Sequence, residues 1–97
     1  MTYTDQFIFA TTQFQKIAQQ TIGGTAERWL NIAYKLDYIS LDFKEKIDAL
    51  LKRKDEMQRF NFKQSVSNQD VMDMITITEI ASNTKFSPRQ LKNIEYG

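Results

Sequence analysis

Cysteine and histidine are both missing from this 97-residue chain. Without cysteine there is no disulfide and no thiolate chemistry, and the redox compartment is left open. Without histidine, the commonest general base and the usual zinc ligands go too. No Gly-rich phosphate loop and no nucleophile elbow takes their place. Asp70 and Asp73 lie three apart, as do Asp42 and Glu45. Such spacing is ordinary for solvated helix surfaces and helix starts. We therefore expect no enzyme, no catalytic or metal-binding residues and no cofactor.

Excess charge of either sign is also lacking. Thirteen basic against twelve acidic residues give a net charge of +1, which argues against a charge-driven nucleic-acid binder but leaves room for a local basic face. No apolar run approaches the roughly eighteen residues of a membrane span, so no membrane partner is expected. The opening MTYTDQFIFATTQFQK has neither the basic start nor the cleavage site of a secretory signal, and a cytoplasmic protein is the expectation.

Three glycines and one proline leave little punctuation, and strand-like alternation is not sustained anywhere. The fold class predicted is all-α: one domain, 1–97, built as a small helical bundle. Its parts are a helical hairpin and dimerisation part over 4–60, a connector over 61–69, and a helix-turn-helix-like unit over 70–97. Seven Phe, four Tyr and one Trp supply its core.

The first helix is predicted from about Thr4 to Ile22. Phe7, Ala10, Phe14, Ile17 and Thr21 share a stripe, and Thr2 with Asp5 resembles a capping box. Ile8 and Phe9 fall off that stripe, which points to a second buried side or a partner contact. After Gly23-Gly24, Thr25 caps a long second helix that runs to about Phe60. Trp29, Leu36, Phe43, Leu50 and Met57 recur every seven residues and form a candidate dimer seam about 42 Å long. Ser40 offers an alternative, capping a separate helix from Leu41. The seam points to a homodimer. Basic residues concentrate in the same region, and Lys52, Arg53, Lys54 and, further on, Lys85 are candidate phosphate contacts.

The end of the chain, TITEIASNTKFSPRQLKNIEYG, carries the richest pattern. Thr76 and Glu79 form a Thr-x-x-Glu capping box for a helix from Ile77, with Ile80 and Ala81 facing inward. Asn83-Thr84-Lys85 turns the chain, Phe86 plugs the corner, and Ser87 caps a helix whose first residue is Pro88. Leu91 and Ile94 pack back onto the preceding helix. That leaves Arg89, Gln90, Lys92 and Asn93 outward, residue types able to read guanine, adenine and phosphate.

Thr76, Glu79, Ile80, Ala81, Thr84, Phe86, Ser87, Pro88, Arg89, Leu91, Ile94, Glu95 and Gly97 together resemble the helix-turn-helix of MerR-type regulators and of the Cro/repressor (Xre) group. The resemblance implies a recognition helix from Ser87 to about Tyr96 that enters the major groove of duplex DNA, with Arg89 at its DNA-contacting start. Ser87, Arg89, Gln90, Lys92 and Asn93 are then the candidate DNA-binding residues of a small dimeric regulator. A second expectation stands beside it: a non-enzymatic helical module, such as an inhibitor, adaptor or viral assembly protein. It would bind a protein partner through Tyr3, Phe9, Tyr34 or Tyr38. A third is a scaffold that oligomerises through the Trp29–Met57 seam.

Overall fold

A chain so poor in glycine and proline marks its helix starts with hydroxyls. The computed structural model describes residues 2–61 and 65–96, the last two by backbone alone. It places five helices and, among the described residues, no strand: α1 (Tyr3–Ile22), α2 (Ala26–Lys35), α3 (Leu41–Arg59), α4 (Asn68–Ser82) and α5 (Pro88–Tyr96). The chain is all-α, as predicted. Each helix is preceded by Ser or Thr: Thr2, Thr25, Ser40, Ser67 and Ser87. Each of these hydroxyls accepts the N–H three residues on, at 3.1, 3.2, 3.1, 3.1 and 3.1 Å respectively. A cap of this kind contributes about 1 kcal/mol.

The long second helix is corrected to two. Leu36 ends α2, and Asp37 takes a left-handed φ of 63°. The Tyr38 N–H then donates to Ala33 O at 2.9 Å and the Asp37 N–H to Tyr34 O at 3.0 Å. This pair of bonds is a Schellman closure, with aspartate in the position glycine usually takes. Ser40 caps α3 three residues later. A seven-residue repeat survives this break because the two helices keep their apolar stripes on the same core.

That core draws on the first four helices. Phe7, Phe14 and Ala18 come from α1, Trp29 and Leu30 from α2, Ile47 and Leu51 from α3, and Met74 and Ile77 from α4, all essentially inaccessible. α1 and α4 form the most extensive helix pair. Polar clamps hold α3 to α4: Arg53 Nη1 meets Asp70 Oδ2 at 3.0 Å, its Nη2 donates to Ser65 O at 2.7 Å, and Lys46 pairs with the buried Asp73. Burial works to raise the Asp70 carboxyl. The Ser67 N–H, the Arg53 guanidinium and the Ser67 hydroxyl, aided by the charge of Arg53, outweigh it and hold the group below its ordinary range.

Trp29 is the hub. Phe14 meets it edge-on with centroids 5.4 Å apart, and Phe86, from the segment between α4 and α5, lies at 5.5 Å. Tyr38 stacks obliquely on Phe86 at 5.7 Å. Its indole Nε1 is buried and, among the described residues, has no acceptor. An orphaned donor of this kind costs about 1–3 kcal/mol. Loss of the buried ring outweighs relief of that penalty, so Trp29→Ala should cost about 3–5 kcal/mol in urea unfolding followed by circular dichroism, enough to unfold much of so small a domain. Trp29→Phe should cost clearly less, since it retains an aromatic ring and removes the orphaned donor.

Candidate interaction surfaces

α5 begins with a reciprocal cap. Ser87 Oγ accepts the Gln90 N–H at 3.1 Å, and the Ser87 N–H donates to Gln90 Oε1 at 2.9 Å. Gln90, expected to read bases, thus has its amide oxygen engaged in holding the helix start, and it is half-buried. Lys85, Ser87, Arg89, Lys92 and Asn93 are exposed. Leu91 and Ile94 are partly buried against the core, but not by closing on the preceding helix. α5 rests on α2, and among the described residues none of its Cα atoms comes within 8 Å of α4.

The preceding helix also differs from expectation. Thr76 is no N-cap: it lies inside α4, where its hydroxyl donates to Met72 O at 2.8 Å. The cap is Ser67, in a full capping box with Asp70. A threonine hydroxyl can bond either a following N–H or the carbonyl four residues back, and here the second arrangement prevails. The segment 83–87 contains no left-handed residue. Ala81 and Phe86 are buried as anticipated.

The candidate phosphate contacts separate. Lys52 and Lys85 are exposed, whereas Arg53 is committed to Asp70 and Ser65. Lys54 is only 6% exposed and its Nζ donates to Gln15 Oε1 at 2.6 Å. Neither Arg53 nor Lys54 is free to meet a phosphate, because consecutive helix positions turn to different sides and theirs face α4 and α1. Lys52 lines a cleft of about 420 Å³ together with Lys44 and the acids Glu27, Asp48 and Asp55. Those carboxylates oppose an anion there.

The candidate seam is occupied within the chain. Trp29, Leu50 and Met57 are buried in its own core, with Leu36 and Phe43 packed against it. Asp70 and Asp73 are spent on Arg53 and Lys46, while Asp42 and Glu45 are exposed. No group of three acidic, His or Cys side chains among the described residues could hold a metal ion. Nor is any described helix long and apolar enough to cross a membrane.

What remains is exposed apolar surface, part of it gathered between α1 and α4. Phe9 is 61% exposed, and Tyr3, Tyr38, Met72 and Ile75 are exposed as well, with Tyr34 half-buried. Phe9, Ala10, Ile75 and Thr78 line a shallow groove of about 270 Å³ between α1 and α4, rimmed by Gln6, Gln13 and Glu79. Met72 lies one turn before Ile75 on the same side of α4. Phe9 was legible as an off-stripe aromatic. Ile75 and Met72 lie in VMDMITI, whose apolar excess is more than one core stripe needs. The chain matches no protein-family model, no curated protein and no solved structure.

Burial lowers the Lys54 pKa, against a smaller opposing pull from Asp55. The unfolded chain therefore takes up this proton more readily than the folded one. Stability should rise as pH climbs through the lowered value towards the ordinary lysine pKa of about 10.4. Lys54→Met should be neutral to stabilising at pH 7 and should lose that alkaline gain, as read from urea midpoints across pH.

Proposed function

We propose that this chain is a non-enzymatic helical module that acts by binding protein through its α1/α4 face. The observation that carries the reading is Phe9, a phenyl ring 61% exposed beside an apolar groove between α1 and α4. Large apolar side chains presented together on a surface favour association, and aromatic anchors dominate interface energetics. The face is built on two rigid helices, which lowers the ordering cost of binding. A cytoplasmic setting, expected from the sequence, belongs to the same proposal. A photoreactive benzophenone amino acid in place of Phe9 should give protein adducts in cells, while the same group in place of Lys52 should not. The reading fails if residue 9 yields no adduct.

A second reading, duplex DNA bound through α5, is supported by the joint exposure of Lys85, Arg89, Lys92 and Asn93 around a capped helix start. Helix N-termini favour phosphate through their free N–H groups. Fluorescence anisotropy with labelled duplexes at low salt is the measurement, because electrostatic affinity is largest there. Binding should weaken more in Arg89→Ala than in Lys52→Ala, and the absence of binding at low salt would exclude it.

A further inference from the structure

We infer that the α1/α4 face is closed by a second copy of this chain, with the two α1 helices antiparallel across a two-fold axis beside Ala10. The inference rests on the protein-binding reading above and names its partner. Knob and hole lie on the same face: Phe9 projects next to the groove formed by Ala10, Gln13, Ile75 and Thr78. A two-fold contact uses the same patch on both copies, so each ring enters the other's groove and both insertions are made together.

Charge selects the arrangement. The 20 residues of α1 carry two charges, Asp5 and Lys16, and both are exposed. At about 100° per residue they fall within roughly 40° of Phe9 on the helix surface. Asp5 and Lys16 are also equally distant along the chain from the Ala10–Thr11 bond. A two-fold axis at that bond, with the helices antiparallel, brings Asp5 of each copy opposite Lys16 of the other. Parallel helices would set Asp5 on Asp5 and Lys16 on Lys16. Exposed pairs add little affinity, but they discriminate between registers.

The rest of the face raises little opposition. Two of the three acids of α4, Asp70 and Asp73, are turned onto Arg53 and Lys46, and Glu79 alone of the three is exposed. Gln6, Thr12 and Gln13 supply polar groups without charge. Phe9 of one copy arrives opposite Thr12 and Gln13 of the other, at the mouth of the groove.

The test is sedimentation of the full chain from about 1 µM to about 1 mM, a range that spans weak and ordinary dimer affinities. A concentration-dependent dimer is expected, with Phe9→Ser raising its dissociation constant at least about tenfold. Lys16→Glu should weaken the dimer too, and Asp5→Lys with Lys16→Glu in one chain should restore it. Circular dichroism melts show that each variant is folded, and rescue by the double variant cannot come from misfolding. A monomer throughout, a dimer indifferent to Phe9→Ser, or a double variant no better than Lys16→Glu alone overturns the inference. A monomer whose residue 9 still crosslinks to another protein overturns the second copy but leaves the protein-binding reading standing. A monomer with no adduct at residue 9 removes both.

Discussion

The contact between Trp29 and its two phenyl neighbours ties together segments too short to hold their form alone. α2 has ten residues, too few to be stable in water alone, and α5 has nine. Phe14 brings α1 to the indole from one side. Phe86 brings the α4–α5 connector from the other, and Tyr38 extends the stack to the turn after α2. Three separated stretches of chain thus meet in one aromatic junction. The rest of the bundle can be conventional because this junction fixes where its short helices go.

Around that junction, helix boundaries are set by local chemistry. Ser and Thr hydroxyls start the helices, Gly23 ends α1 with a left-handed φ of 66°, and Asp37 ends α2 in the same conformation. The polar clamps between α3 and α4 then consume groups that would otherwise mark the surface. Arg53, Lys46, Asp70 and Asp73 are fixed to one another or to nearby carbonyl oxygens. The consequence for function is that charge is withdrawn from the α4 side of the molecule while apolar side chains stay exposed there.

Much of this was legible. The α1 stripe, the caps at Thr25 and Ser87 and the corner role of Phe86 all follow from spacing and hydroxyl chemistry. The split at Ser40 was one of two open readings, because a seven-residue repeat describes both a single rod and two helices folded onto a common core. Asp37 was the signal that decides between them, since aspartate tolerates the left-handed region better than most residues. Thr76 misled because a hydroxyl before an apolar run looks the same whether it caps a helix or lies within one. In the sequence Lys54 is a candidate phosphate contact because lysine seldom lies buried, and only tertiary packing brings Gln15 to its ammonium. The groove beside Phe9 needed two helices, and a single sequence cannot show which neighbours α1 acquires.

Trp29 is the chain's sole tryptophan, and its indole N–H points at no acceptor among the described residues. That proton has no hydrogen-bonded partner to retain it, so its protection from solvent deuterium comes from packing alone. Its exchange rate therefore measures how often the junction of Phe14, Phe86 and Tyr38 parts far enough to admit water. A single resonance becomes a clock for the breathing of the whole fold.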